Sequence, residues 1–501
     1  MEQELLQAFT MVFTLEALLY LALGVFIGGA FAAIPGLTGT LALSLVLPFT
    51  FFISVVPALA LLLGTYKGCM FGGSVSAVTF GVPGDAPAAP TAFDGFPLAR
   101  QGKANKALSI ALYASITGNF LADLILIFTL VPVSYIALRF GPRELCALMF
   151  LALMSLALLF GGSVRKGLFA IMLGGFMATI GSDPISSIPR MTFGFMALRD
   201  GLPLVAVITG LFAFSELLIQ FGQGMRDFLE KKEQQFKQLS QITKRSPDDR
   251  LTFREYLACW REMLVGSIIG ICLGALPGPG AAMSAFTAYG IAGGWKKNKG
   301  RFGTGMVEGV AAPESANSAT VGPTLIPLLT FGIPGSGNAA LFGAALMLQG
   351  ITAGPGLFTD YLHIIYAIFI LMIVGTAMNL FISKFTIIPI FSRLAMVERR
   401  LLLALLTPMM AIGIYSINLR PFDVLVMFLS GILGLLLRRV NITLAPVAVA
   451  MIVIPLFETQ FRRALLLGHG DFMYFFQSPL ACGLLLMSVA LSVYVYLKNT
   501  K

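Results

Sequence analysis

Long apolar runs separated by short polar breaks dominate the chain. Runs at 12–33, 107–131, 145–160, 168–180, 202–219, 361–382, 401–417, 424–437, 442–456 and 478–497 carry few charges. A helix needs about 20 apolar residues to cross a bilayer, and several of these runs reach or approach that length. The stretch after Thr40 and the stretch 263–276 are apolar but interrupted by Gly and Pro, so they read as broken spans. The pattern predicts an all-α integral membrane protein, a polytopic helical bundle of roughly 11–14 membrane segments by this length rule.

One segment departs from the pattern. Residues 226–262 hold nine Lys/Arg and seven Asp/Glu, which places them outside the hydrocarbon as a charged cytoplasmic connector. The chain then divides into a first half, 1–225, and a second half, 263–501. Lys296-Lys297-Asn298-Lys299-Gly300-Arg301, Arg399-Arg400 and Arg438-Arg439 read as cytoplasmic by the positive-inside pattern. Arg462-Arg463 fits that orientation less easily. Before the first apolar run, Met1 to Gln7 is acidic, and no small-residue cleavage site follows. The expectation is a retained first helix rather than a removable signal peptide.

Composition agrees. Hydrophobic residues make up 57% of 501 and charged residues only 12%, against about 25% charged in soluble domains. The net charge of +10 sits in short clusters between apolar runs, without the aromatic-basic surface of a nucleic-acid site. Cys69, Cys146, Cys259, Cys272 and Cys482 show no paired spacing, and with only two His they predict neither a metal cage nor disulfides.

The two halves resemble each other. Ile34-Pro35-Gly36-Leu37-Thr38-Gly39 is echoed by Leu276-Pro277-Gly278-Pro279-Gly280-Ala281, an offset of 242. Phe80-Gly81-Val82-Pro83-Gly84-Asp85 is echoed by Phe331-Gly332-Ile333-Pro334-Gly335-Ser336, an offset of 251. Pro removes a backbone donor and Gly leaves a helix readily. Inside a bilayer, freed backbone groups are tolerated only where protein or a cavity satisfies them. Matching breaks in two halves therefore point to re-entrant or broken helices and to a transporter binding site. Half-helix N-termini would turn N–H groups toward an anion, and unwound carbonyls near Pro35, Pro83, Pro277 and Pro334 would suit a cation.

Candidate ligands follow from these breaks. Thr38, Ser74, Asn317, Ser318, Ser336 and Asn338 could hydrogen-bond a carboxylate, helped by backbone amides near Gly36, Gly84, Gly278 and Gly335. Lys67, between an apolar run and a glycine-rich one, is either a functional charge at membrane depth or a side chain that snorkels to the interface. Glu308 and Glu314 suit packing, a proton or a cation rather than an anion. The stretch from Asp94 to Lys103 reads as a polar turn at the interface. No Ser-His-Asp set and no phosphate-binding loop is present. An enzyme acting on lipid, a passive anion channel and a scaffold are the competing readings. The enzyme would need an acid-base or metal constellation that the sequence does not show, the scaffold leaves the repeat unexplained, and uptake against a gradient separates carrier from channel.

Four stretches carry a family resemblance: Lys67-Gly68-Cys69-Met70-Phe71-Gly72-Gly73-Ser74, Thr91-Ala92-Phe93-Asp94-Gly95-Phe96-Pro97-Leu98-Ala99-Arg100, Glu308-Gly309-Val310-Ala311-Ala312-Pro313-Glu314-Ser315-Ala316-Asn317 and Leu328-Leu329-Thr330-Phe331-Gly332-Ile333-Pro334-Gly335-Ser336-Gly337. They resemble the large membrane subunit of the tripartite tricarboxylate transporter family over essentially the whole chain. The resemblance implies a multi-pass protein of the bacterial inner membrane, partnered by a small membrane subunit and a periplasmic substrate-binding protein. It implies transport of small organic di- or tricarboxylates, no cofactor, symport with a cation (sodium, with the proton as alternative) and an elevator-like motion of re-entrant hairpins. Phe80-Gly81-Val82 and Asp85 in the first half, and Glu314-Ser315-Ala316-Asn317-Ser318 in the second, depart from the pattern expected of relatives, which bears on substrate choice.

Overall fold

The computed structural model describes residues 2–34, 37–160, 164–183, 185–221, 246–278, 280–391 and 399–499. In chain order the helices are α1 (Glu2–Val12), α2 (Leu15–Ala33), α3 (Gly39–Val46), α4 (Val55–Phe80), α5 (Ala89–Arg100), α6 (Ala104–Ala137), α7 (Pro142–Phe160), α8 (Val164–Thr179) and α9 (Leu204–Phe221). They continue with α10 (Phe253–Ala258), α11 (Trp260–Gly274), α12 (Gly280–Gly293), α13 (Val307–Ser318), α14 (Val321–Phe331), α15 (Gly337–Leu348) and α16 (Leu362–Phe391). The last four are α17 (Arg399–Asn418), α18 (Pro421–Arg439), α19 (Ala445–Leu467) and α20 (Pro479–Asn499). Among the described residues, seven helices are long and apolar enough to cross a bilayer, and shorter apolar helices accompany them. The expected all-α polytopic class is observed. Two two-residue strands, Gly181–Ser182 and Pro189–Arg190, pair antiparallel with Gly181 opposite Arg190.

Contacts group the chain into two units, each drawn from three chain segments. The first comprises Met1–Thr129, Ile219–Ile326 and Asp360–Pro408, and the second Leu130–Leu218, Pro327–Thr359 and Met409–Lys501.

The first unit is organised by a glycine seam between α2 and α4. Gly64, Gly68 and Gly72 recur every fourth residue and so share one face of α4. A methyl group placed on Gly64 would lie 2.3 Å from the Leu21 carbonyl oxygen, one on Gly68 2.2 Å from that of Val25, and one on Gly72 2.5 Å from that of Gly29. Reciprocally, methyls on Gly24 and Gly28 would meet the carbonyls of Leu61 and Thr65 at 2.2 and 2.1 Å. The opposite face of α2 is apolar and exposed at Leu15, Leu19 and Leu23, as a lipid-facing surface must be. The same contact recurs between α11 and α13, where methyls on Gly266 and Gly270 would meet the carbonyls of Ala312 and Ala316 at 2.4 and 2.3 Å. The offsets that relate the Pro-Gly breaks carry Gly24 and Gly28 onto Gly266 and Gly270, and Leu61 and Thr65 onto Ala312 and Ala316.

The glycine-rich stretch 64–76 lies inside one continuous 26-residue helix, its glycines facing the neighbouring backbone. One expectation changes here. The interfacial turn expected over 94–103 is instead mostly α5. Asp94 is fully buried and accepts N–H bonds from Gly303, Gly305 and Met306 at 2.8–2.9 Å and the Tyr289 hydroxyl at 2.9 Å. Those four donors satisfy a carboxylate that would otherwise demand water.

Residues 226–245 of the expected connector lie outside the described residues. The rest of it is tied to the start of α6. Lys106 binds Asp248 at 2.6 Å and Glu255 at 2.8 Å, Lys103 binds Asp248 at 2.9 Å, and Asp249 accepts the Asn105 amide at 2.8 Å. The hydrogen bonds from Lys106 and then Lys103 hold the Asp248 carboxyl down to about 2. A lowered carboxyl contributes above its unfolded range and is lost only as pH falls through its folded value. Hydrogen-exchange protection over 253–258, corrected for intrinsic rates, is therefore expected to be equal at pH 7 and pH 5. Lys106→Met is expected to lower it at both, and a loss in the wild type by pH 5 would contradict the assignment.

The second unit has its own close helix contacts, with Gly174 of α8 against the Val447 carbonyl and Gly210 of α9 against that of Met427. Arg462, which fitted the charge pattern poorly, pairs with Asp183 at 2.9 Å and Glu458 at 2.6 Å, and Arg190 binds the same two carboxylates at 3.0 Å each.

Candidate functional site

The Phe-Gly-x-Pro-Gly breaks have a common construction. Gly81 and Gly332 end α4 and α14 in the left-handed region, at φ 66° and 73°, and donate to the carbonyls of Ala77 and Leu328. A glycine C-cap followed closely by Pro stops a helix. The next helix starts almost at once. Asp85 accepts the Ala86 amide at 2.8 Å, and Ser336 accepts the Ala339 amide at 3.2 Å to open α15. Thr38 opens α3 by accepting the Leu41 amide at 3.2 Å, and the Asp85 carboxylate accepts the Gly39 amide at 3.3 Å. The α3 start thus already faces a carboxylate. Gly84 lies where a methyl would meet the Ala32 carbonyl at 2.0 Å. Gly278 precedes α12 with φ 128°. Gly36 and Pro35 lie outside the described residues. Pro334, Gly335, Ser336 and Asn338 belong to the second unit, and the other described candidates to the first.

A column of buried polar side chains runs through the first unit between α4, α6, α13 and α16. Lys67 neither snorkels nor offers a free ammonium. It is fully enclosed and binds both Asp123 carboxylate oxygens at 2.9 Å and the Thr376 hydroxyl oxygen at 2.8 Å. Thr376 in turn donates to Asp123 at 2.6 Å, and Asn379 donates to the Lys67 carbonyl at 3.1 Å. All three ammonium protons are thereby used. The Asn317 amide donates to the Met70 carbonyl at 2.9 Å, and Ser318 shares a 2.6 Å hydrogen bond with Ser115. One turn along α4, the Ser74 hydroxyl donates to Glu314 Oε1 at 2.5 Å, and the Thr91 hydroxyl donates to the same oxygen. Among the described residues, Glu314 Oε2, Asn317 Oδ1 and both amide atoms of Asn119 are buried without a hydrogen-bond partner.

Lys67, Ser74, Asn317 and Ser318 thus belong to this one column. Sequence reasoning passed over Asp123, Asn119, Ser115, Thr91 and Thr376. A usable signal existed, because Asn119 and Asp123 are the amide and the carboxylate of a run otherwise made of apolar and small hydroxyl residues, and they stand four residues apart on one helix face. Among the described residues, no group of three or more His, Cys, Asp or Glu could hold a metal ion.

The model of the Tripartite tricarboxylate transporter TctA family matches residues 18–449. The chain belongs to the TctA family. It is 34% identical over 478 residues, 95% of this chain and 93% of the relative, to an uncharacterized 52.8 kDa protein in the TAR-I ttuC' 3'region of Agrobacterium vitis. A second relative, an uncharacterized protein in the TAR-II ttuC' 3'region of Agrobacterium vitis, is 39% identical over 216 residues, 43% of this chain and 89% of that one. No solved structure matches. As a TctA chain, the protein is a multi-pass membrane subunit of a tripartite transporter and not an enzyme. The lipid-enzyme reading falls with that membership.

Proposed function

We propose that this TctA chain is the substrate-translocating subunit of a carrier that moves small di- or tricarboxylate anions across the bacterial inner membrane. It would receive them from a periplasmic binding protein, work beside a small membrane subunit, and draw on a cation gradient, sodium before proton. The observation that carries the reading is the helix start placed directly after a Pro-Gly break within apolar sequence. Such a start presents N–H groups to a carboxylate where water is scarce. In the second unit, Ser336, Asn338 and the amide near Gly335 stand at that start. In the first, Thr38 and the backbone at Gly84 and Gly278 flank the breaks, with Ser74, Asn317 and Ser318 deeper in. Lys67 acts as an internal counter-ion there. Helices broken in this way suit an elevator-like movement of hairpins.

The test is uptake of labelled citrate and of shorter dicarboxylates by proteoliposomes that contain the full chain, its small subunit and the binding protein. Accumulation above the outside concentration is expected, and collapse of the sodium and proton gradients together should abolish it. Equilibration without accumulation would make the protein a passive channel. Asn338→Ala is expected to lower uptake at least tenfold, the loss of one hydrogen bond to a charged group, at unchanged yield of folded protein.

A further inference from the structure

Glu314 differs from the other fully enclosed carboxylates of the first unit. Asp123 has the Lys67 ammonium, and Asp94 has three backbone amides and a phenol hydroxyl. Among the described residues, Glu314 has only the Ser74 and Thr91 hydroxyls, both on Oε1, while Oε2 has no partner. Every residue of α13 from Glu308 to Ser318 is buried, so water does not reach that oxygen from the surface. An uncompensated carboxylate in such a place is strongly disfavoured. Its negative charge calls for a positive partner that the described side chains do not supply.

The surroundings specify the kind of partner. Asn317 follows Glu314 by three residues and so shares its helix face. Its amide nitrogen is spent on the Met70 carbonyl, one turn of α4 before Ser74, while its Oδ1 is buried and unpartnered. Glu314 and Asn317 therefore face successive turns of α4, each with one unsatisfied oxygen. On α6, Asn119 adds another unsatisfied amide oxygen, one turn from Ser115, whose hydroxyl meets Ser318. Glu314 and Asn317 offer only oxygens, with one formal negative charge, while Asn119 carries an unpartnered amide nitrogen as well as its oxygen and is left out of the site. Oxygen donors suit hard cations, and thiolate or imidazole donors are lacking. A single charge suits a monovalent ion.

We propose that the Glu314 carboxylate, with the Asn317 amide oxygen and the hydroxyls of Ser74 and Thr91, forms a binding site for a sodium ion inside the first unit. This rests on the cation-coupled reading above and gives it a seat away from the Pro-Gly backbone. Occupancy neutralises Glu314 and satisfies its second oxygen and that of Asn317. Release leaves both oxygens buried without a partner, so the loaded and unloaded units differ in stability.

The experiment is thermal unfolding of the full chain purified in detergent, titrated with sodium chloride against choline chloride at constant ionic strength. The wild type is expected to gain melting temperature with sodium, in a saturable manner. Thr91→Val, which removes one oxygen, should raise the half-saturating sodium concentration about tenfold. Glu314→Gln, which removes the charge but keeps the shape, should melt higher than wild type without sodium and show no sodium response. A full sodium response in Glu314→Gln would overturn the site. So would a wild type that ignores sodium but shows a melting step between pH 6 and pH 8 that Glu314→Gln lacks, which marks a proton site instead. Citrate accumulation in proteoliposomes separates the two levels. If it is sodium-driven and persists unchanged in Glu314→Gln, the site is wrong and the carrier stands. If no gradient drives it in the wild type, the carrier reading itself fails.

Discussion

Gly68→Leu is expected to abolish recovery of folded protein, and Gly68→Ala to lower stability by roughly 2–3 kcal/mol, the upper range for overpacking a filled site. The reason is that the group facing Gly68 is backbone. A Cβ there would stand 2.2 Å from the Val25 carbonyl oxygen and 2.9 Å from the Gly29 amide nitrogen. A flexible side chain could swing away, but a carbonyl inside α2 cannot move without carrying its helix. Close approach through small residues is also what holds helices together in lipid, where burial from water contributes little between them. The substitution therefore removes the attraction and adds the clash. Gly290 of α12 is the control, because a methyl there meets nothing within 4 Å. Gly290→Ala should melt at or slightly above the wild-type temperature in detergent, since alanine is the better helix former. Equal melting of Gly68→Ala and Gly290→Ala would mean that the seam does not bear on stability.

Lys67→Met should cost about 3–5 kcal/mol, the usual effect of removing one partner of a buried ion pair. Asp123 would keep its hydrogen bond from Thr376 but lose the ammonium that balances it. Asp123→Asn should cost a similar amount by stranding the ammonium. The double variant, Lys67→Met with Asp123→Asn, should recover most of the loss, because two neutral groups of similar volume need no counter-charge. Thermal melts of the four proteins in a double-mutant cycle give the coupling directly. Additive losses in the double variant would show that the two side chains do not act as a pair.

Much of the architecture was readable in the chain because lipid imposes a length on every span. The ends of the two Phe-Gly-x-Pro-Gly helices were legible for a local reason, since Gly81 and Gly332 must take left-handed φ and the prolines prevent continuation. What escaped was set by distant partners. Helix α4 did not read as one span because Gly64, Thr65, Lys67, Gly68 and Gly72 dilute its apolar character, and only the matching glycines of α2 explain them. Helix α5 read as a turn because Asp94-Gly95 and Pro97 are turn residues. Their helical state depends on donors more than 190 positions away. Asp123 was overlooked within a run read as one uninterrupted span, although a lone carboxylate there is itself a signal. The polar column joined Lys67, Ser74, Asn317 and Ser318, but no rule of spacing could pair Lys67 with Thr376.

The burial of Lys67 also bears on how the protein is made. Asp123 lies 56 residues after Lys67 and Thr376 lies 309 after it. At synthesis rates of about 5–20 residues per second, the counter-charge emerges roughly 3–11 s after the lysine. During that delay a lone lysine at mid-span costs about 2.5–3.5 kcal/mol on insertion scales. Helix α4 therefore gains from lingering beside the insertion machinery until α6 arrives, so that the two enter lipid together, their charges already matched.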